Sequence, residues 1–144
     1  MKKLIQIFFV FILISCNKPK ENISIKEGFI TKEGTYYAKN IKIVVKKLDD
    51  DSLIYAICDR FNKILYQSNI MTPFSKYHFW MMYIDINENV WVYDSDYDNK
   101  KIIMKNDSNK YIENDYCKMN IAKPKKIRDK LKELNIKDCG NLKD

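Results

Sequence analysis

Two neighbouring apolar runs, residues 77–86 and 90–93, constrain the fold of this chain more than any other stretch, because both of their faces are apolar. They surround residues 87–89, whose amide and acidic side chains are typical of a tight turn, so the segment predicts a β-hairpin. We expect Asp85 to pair with Val90 across it. A hairpin that is apolar on both faces has to be covered on both, which predicts a central position in a layered domain.

The expected pairing determines which side chains share a face of the hairpin. One face would carry Trp80, Met82, Ile84, Trp91 and Tyr93, and the other would carry Phe79, Met81, Tyr83, Val90 and Val92. We expect a C-terminal helix to cover one face, and either a second sheet layer or a partner to cover the other.

The rest of the chain predicts further strands and one helix. A period-two pattern predicts a strand over residues 35–46, and apolar runs between turn residues predict shorter strands at residues 53–58, 64–66, 100–105 and 111–119. Apolar residues at helical spacing behind Pro124 predict an amphipathic helix over residues 124–135. Short connections favour pairing between consecutive strands. The predicted fold class is α+β: an antiparallel β-meander sheet of five to seven strands with one C-terminal amphipathic helix.

The beginning of the chain has the order of an export signal. Lys2 and Lys3 precede an apolar run, residues 4–14, which is followed by Ser15 and Cys16. As a helix with a rise of about 1.5 Å per residue, the run would span roughly 16 Å, about half of a bilayer's hydrocarbon core. The pattern therefore predicts a secretory signal peptide and not a transmembrane helix.

The end of this run, Leu13-Ile14-Ser15-Cys16, resembles the lipobox of bacterial membrane lipoproteins. The resemblance implies cleavage before Cys16, a diacylglycerol on its sulfur and an acyl chain such as palmitate on its new amino group. The alternative is an ordinary signal peptide in which the cysteine has no role. We expect no cofactor other than this covalent lipid, and no family resemblance extends into the residues after Cys16.

Cleavage would divide the chain into three parts. These are a signal peptide over residues 1–15, a lipidated cysteine with a flexible tether over residues 16–34, and a single α+β domain over residues 35–144. The resemblance implies a protein that is exported and held at a membrane by its lipid. Asn17, and not Asp, follows the cysteine, which in a Gram-negative cell favours the outer membrane, on its periplasmic or surface face.

The charge balance argues against nucleic acid as a partner. The chain has 26 basic and 19 acidic residues, but only Arg60 and Arg128 are arginines, the residue that most often contacts phosphates and base edges. Several basic residues, among them Lys125 and Arg128, lie on one face of the predicted helix. We interpret this face as solvated, with contact to an anionic surface as the alternative.

Three cysteines remain if Cys16 is lipidated. Cys58 lies in an apolar run and is expected in the core, whereas Cys117 and Cys139 flank the predicted helix and are candidates for a disulfide. The three would then form one pair and a spare thiol, or three separate thiols. A zinc site is not expected, because His78 is the only histidine and no cysteine pair has ligand spacing.

Residues 94–99 contain alternating aspartates like the opening of a calcium loop. Asn99 stands where that loop needs Gly, and Lys105 stands where it needs Glu, so we expect a solvated turn and no metal. Cys58 and His78 are the only thiol–imidazole pair that the sequence suggests, and no nucleophile elbow, phosphate loop or zinc motif occurs. We therefore expect no catalytic residues and a protein that is not an enzyme.

These observations favour a protein that acts by non-covalent binding at the cell envelope. The expected partner is an envelope or secreted protein, which binding would inhibit or neutralise. One alternative is a module that stacks glycan or peptidoglycan rings on exposed aromatics, and another is an envelope enzyme of unrecognised type. The candidate binding surface consists of Tyr36, Trp80, Tyr97, Lys125 and Arg128. Burial of every Trp and most Tyr would count against the glycan alternative.

Overall fold

Ten strands and one helix are formed by the residues that the computed structural model describes, which are 22–96, 99–119, 121–137 and 139. In chain order they are β1 (Asn22–Ser24), β2 (Gly28–Ile30), β3 (Gly34–Tyr37), β4 (Ile41–Lys47), β5 (Leu53–Asp59), β6 (Ile64–Gln67), β7 (Trp80–Ile84), β8 (Val90–Asp94), β9 (Asn99–Lys105), β10 (Tyr111–Asp115) and α1 (Lys125–Glu133). The protein is mainly β, with one short C-terminal helix.

The strands form two sheets of five, where the sequence predicted a single antiparallel sheet. The first has the order β1-β3-β4-β5-β6 and the second the order β10-β9-β8-β7-β2, so each contains one meander of four consecutive strands. The first sheet is mixed because β1 runs parallel to β3, whereas the second is antiparallel throughout. The meander was predicted; its division between two layers was not.

The inner faces of the two sheets pack together in the main core. The first sheet contributes Ile43, Val45, Tyr55 and Ile57, and the second contributes Met82, Ile84, Val92 and Ile103. On its other face the second sheet packs against the helix through Met81, Tyr83, Trp91, Ile127 and Leu131. The central hairpin is thus covered by the helix on one side and by a second sheet layer on the other, as its two apolar faces required.

The register of this hairpin differs from the predicted one by one residue. Ile84, and not Asp85, pairs with Val90, and Tyr83 pairs with Trp91. Because side chains alternate along a strand, the shift exchanges the faces of β8. Val90 lies in the main core beside Ile84, while Trp91 and Tyr93 lie on the helix face.

The reason for the shift is a turn that recurs in four hairpins, at residues 48–52, 59–63, 85–89 and 106–110. In each, the N–H of the first residue donates to the carbonyl of the fifth, and the N–H of the fourth donates to the carbonyl of the first. The fourth residue has a positive φ, between 59° and 70°. This is a type I turn followed by a left-handed residue, and it leaves three residues in the loop where the predicted pairing required four.

In three of these turns the first residue is Asp59, Asp85 or Asn106, and its side chain accepts the N–H groups of the third and fifth residues. A side chain that binds its own backbone in this way stabilises a turn locally. Residues 57–66 and 83–93 each contain an apolar strand, an Asp, a polar turn with Asn and a second strand with Tyr, so the two segments repeat one hairpin type.

The domain begins earlier than predicted. Strands β1 and β2 lie within residues 16–34, which the sequence analysis assigned to a flexible tether. The single strand predicted over residues 35–46 is a hairpin, in which β3 and β4 are joined by a turn at residues 38–40. Strands of three residues are too short to show a periodicity. The predicted signal peptide, Cys16 and the start of the tether lie outside the described residues.

The helix is shorter than predicted by a residue at its start and two at its end, and Pro124 is its N-cap. Cys117 and Cys139 form the disulfide that the sequence suggested, with their Cα atoms 5.3 Å apart. Cys58 is buried as expected, but it is also disulfide-bonded, so the prediction of a spare thiol among the three was wrong. No helix within the described ranges has the length and apolar character needed to cross a bilayer.

Candidate functional site

The sandwich has two distinct ends. We call one the hairpin end; it carries the connections at residues 38–40, 59–63, 85–89 and 106–110. We call the other the loop end; it carries the turn at residues 48–52, the β6–β7 loop at residues 68–79 and the β8–β9 connection. Because different connections form the two ends, each end presents a different surface.

An open groove of about 310 Å³ lies at the hairpin end, between the turn at residues 85–89 and the segment that enters the helix. We call it the turn–helix groove. Its lining consists of Glu27, Asp85, Ile86, Asn87, Asn89, Trp91, Ile102, Met104, Ile121, Ala122 and Pro124. The volume is at the lower limit for small-molecule sites, and the mixture of apolar and amide side chains suits a short peptide segment.

Asp85 forms the polar floor of the groove. One carboxylate oxygen accepts the N–H groups of Asn87 and Asn89, at 2.9 and 3.0 Å. The other accepts the Asn89 side-chain amide at 3.0 Å and the Trp91 indole N–H at 2.9 Å. Four donors occupy both oxygens of this buried carboxylate. Asp85 therefore holds the turn and the indole in place and is a poor candidate for a general base.

Glu27 closes the groove on the side of β2. Its carboxylate accepts hydrogen bonds from the Tyr83 hydroxyl and, at 3.0 Å, from the ammonium of Lys126 in the first turn of the helix. These two bonds hold the pKa of Glu27 below its usual range. Burial and the neighbouring Glu27 raise the pKa of the Tyr83 hydroxyl. Glu27 is thus an ionised link between β2, β7 and the helix.

The upper rim of the groove is free to meet a partner. Ile86 is 59% exposed at the tip of the turn, and Asn87 beside it is exposed as well. The opposite wall, Ile121 with Met104, is apolar and half-buried. No serine, cysteine, histidine or lysine is among the lining residues. The groove can hold an apolar side chain of a partner that carries hydrogen-bond donors beside it. The groove's own side chains offer no nucleophile.

The structure separates the residues of the predicted binding surface. Tyr36 is buried and Trp80 is only 8% exposed, because both point into the main core. Tyr97 lies outside the described residues. Lys125 and Arg128 are exposed on the helix, as predicted, but neither lines the groove, which reaches only the N-cap residue Pro124. The predictions for Tyr36 and Trp80 were wrong. The turn at residues 38–40 breaks the predicted strand, so Tyr36 pairs with Ile43 and shares its core face, and Trp80 lies on a strand that is covered on both faces.

The described residues hold no group of three or more His, Cys, Asp or Glu side chains placed to bind a metal ion. Asp94, from the sequence that resembles a calcium loop, instead closes a hairpin opposite Asn99 and accepts the N–H of Asp96 at 3.0 Å. Burial raises its pKa. Tyr97 and Asp98, in the middle of that sequence, lie outside the described residues.

The suggested thiol–imidazole pair is not brought together. Cys58 is buried and disulfide-bonded on the outer face of the first sheet. His78 is exposed at the loop end, where its Nδ1 atom lies 3.6 Å from a carboxylate oxygen of Asp96.

Aromatic side chains are mostly internal. Trp80 and Trp91 are both buried, and so are six tyrosines, Tyr36, Tyr55, Tyr83, Tyr93, Tyr111 and Tyr116. Stacking on sugars requires exposed, coplanar rings, so the glycan alternative loses its main support among the described residues.

Sequence reasoning missed the groove. Its signal was Asp85, an acidic residue at the end of an apolar strand and two and four residues before asparagines.

No protein-family model matches the chain, and neither a curated protein nor a solved structure matches it.

Proposed function

We propose that the chain is the precursor of a bacterial envelope lipoprotein, and that its folded part binds a partner protein non-covalently in the turn–helix groove. Export and anchoring are supported by the residues Leu13-Ile14-Ser15-Cys16, which resemble a lipobox. The anchor requires that the Cys16 sulfur carries lipid and is not bonded to Cys58, for which Cys16 is the one possible partner outside the Cys117–Cys139 pair. The Cys117–Cys139 disulfide agrees with an oxidising compartment. The site of action is then a membrane surface outside the cytoplasm, the outer membrane in a Gram-negative cell.

The observation that carries the binding proposal is the groove, an exposed concavity with apolar walls and a polar floor that is already satisfied. Its carboxylates, Asp85 and Glu27, are engaged by the protein's own donors, so a ligand does not have to be a cation. The class of partner that fits is an exported or envelope protein presenting an apolar side chain between backbone or amide donors. Binding at a partner's working surface would neutralise it.

The test compares two isoleucines that are exposed at different places. Ile86 lies on the groove rim, whereas Ile70, 37% exposed in the β6–β7 loop at the other end of the sandwich, is absent from the groove lining. The mature lipoprotein in detergent is immobilised, envelope extract is passed over it, and captured proteins are quantified by mass spectrometry. Ile86→Asp should reduce capture of the specific partner by about tenfold or more, because about 1.4 kcal/mol of lost contact energy corresponds to that factor.

Ile70→Asp is the matched control and should leave capture in detergent unchanged. Equal capture by both variants, or equal loss in both, would contradict a role for the groove. Turnover of an envelope substrate by the purified wild-type protein would contradict binding without chemistry.

A further inference from the structure

The β6–β7 loop concentrates exposed apolar side chains. Of the eight large hydrophobic residues that are exposed in the described part of the chain, four lie within residues 68–79. They are Ile70 and Phe79, exposed by 37% and 40%, and Met71 and Tyr77, each exposed by 81%. A cluster of this kind is unfavourable in water and marks a contact surface.

The loop is held in a defined place although its apolar side chains face outward. Phe74 in its middle pairs with Leu53 of β5 and packs in the main core, with its ring 5.0 Å from that of Trp80. Lys76 forms an ion pair with Asp51 of the neighbouring turn at 3.0 Å. The loop therefore lies across the loop end of the sandwich as part of the folded structure.

The start of the folded chain points to the same end. β1 pairs with β3 in parallel, from Asn22 opposite Thr35 to Ser24 opposite Tyr37, and β3 begins at the loop end. β1 therefore begins at the loop end. Five residues separate Asn22 from Cys16, and a fully extended chain of that length spans at most about 20 Å.

We propose that the β6–β7 loop rests on the membrane surface beside the lipid anchor, with Met71, Tyr77 and their apolar neighbours inserted among the headgroups. The proposal rests on the lipid anchor proposed above. A tether of this length keeps the loop end near the bilayer. A second contact, between the loop and the membrane, therefore costs little additional entropy. Tyr with a neighbouring Lys is the pair of side chains that suits the membrane–water interface, with the ring inserted and the ammonium at the headgroups.

The contact is apolar and not electrostatic. Acidic residues of the β4–β5 turn, Asp49, Asp50 and Asp51, lie at the same end and balance the basic side chains Lys47 and Lys76. Binding should therefore occur on zwitterionic phospholipid and should resist added salt, unlike the adsorption of a basic patch on an anionic surface.

The experiment places a tryptophan at each end of the mature lipoprotein. Met71→Trp reports on the loop, and Phe61→Trp is the matched control, since Phe61 is 89% exposed in the β5–β6 turn at the hairpin end. Each variant is reconstituted into phosphatidylcholine vesicles carrying brominated acyl chains, which quench nearby indoles. The wild-type emission of the two buried tryptophans is subtracted.

The added emission of Met71→Trp should be mostly lost in brominated vesicles, and that of Phe61→Trp should be unchanged, in low and high salt alike. Vesicles that float with the protein but leave Trp emission at position 71 unquenched would overturn the membrane contact while leaving the anchor intact. Equal quenching at both positions would overturn the proposed orientation. A protein that does not float with the vesicles would refute the anchor, and this proposal with it.

Discussion

At the scale of single residues, Asp85 stabilises the turn that sets the pairing of the central hairpin. Its carboxylate accepts four hydrogen bonds, from the backbone of Asn87 and Asn89, from the Asn89 side chain and from the Trp91 indole. The first two stabilise the three-residue loop, and the fourth fixes the indole on the helix face of β8. One side chain therefore connects turn geometry to strand register.

Replacing Asp85 by Ala should lower the free energy of unfolding by about 3 kcal/mol, because the buried indole N–H loses its acceptor together with the turn amides. Asn106→Ala is the matched control. Its side chain accepts the same two backbone N–H groups in the same turn, but no buried donor, and its loss should cost about 1 kcal/mol. Urea unfolding followed by tryptophan fluorescence measures both, and equal costs would show that the bond to Trp91 contributes nothing.

The turn was predictable from the sequence, but the register was not. Asn and Glu are permitted in loops of either three or four residues, so the types of residues 87–89 do not select between the two. The sequence analysis paired Asp85 with Val90, whereas the three-residue loop places Asp85 in the turn; the same loop forms at residues 48–52, where the first residue is Leu48. The same error exchanged the faces of Val90 and Trp91, because a shift of one residue moves every side chain of a strand to the other face.

At the scale of elements, α1 depends for its stability on packing against the second sheet and on a disulfide. α1 has nine residues, too few to be stable alone in water. Ile127 and Leu131 pack it on the second sheet, and the Cys117–Cys139 disulfide closes the chain around it. The bridge joins the end of β10 to the segment after the helix, so it restricts the unfolded chain over a separation of 22 residues.

The double variant Cys117→Ala/Cys139→Ala should lose about 3 kcal/mol of stability, the loop-closure contribution for a bridge of that span. Amide hydrogen exchange should also become faster in α1 than in β7 and β8, since the helix loses its covalent clamp while the central hairpin keeps both of its layers. Arg128→Ala, an exposed change on the same helix, should stay within about 0.5 kcal/mol of the wild type. Unchanged exchange in α1 would mean that packing alone holds the helix.

The elements differ in how much the sequence reveals of them. The helix was predicted nearly to its ends, because apolar residues at 3.6-residue spacing behind a proline have few other interpretations. β1 and β2 were missed, because three residues cannot show alternation. Their pairing with β3 and β7 divides the chain between two sheets from its start. That division is decided by contacts between distant segments, and local pattern contains no information on it.

At the scale of the whole molecule, the two ends of the sandwich present different surfaces, so the domain is suited to one orientation at a membrane. β1 begins at the loop end, which also presents apolar side chains, whereas the hairpin end presents the groove. The longest strands have seven residues, which corresponds to roughly 23 Å between the ends. With the loop on the membrane, the groove would face away from it at about that distance, open to a partner that approaches from solution.

This arrangement depends on one sulfur atom. Cys16→Ala should abolish labelling by palmitate and release the protein from the membrane fraction, because two or three acyl chains make an anchor that the few apolar side chains of the β6–β7 loop do not replace. Cys139→Ala is the control and should keep both the label and the membrane location, since Cys139 is bonded to Cys117. Mass spectrometry of the wild-type protein should find Cys16 as the first residue, carrying a diacylglycerol thioether. Persistent labelling of the Cys16→Ala variant, or recovery of Cys16 from the wild type in a disulfide, would contradict the anchor. The groove would then have to bind its partner without attachment of the protein to a membrane.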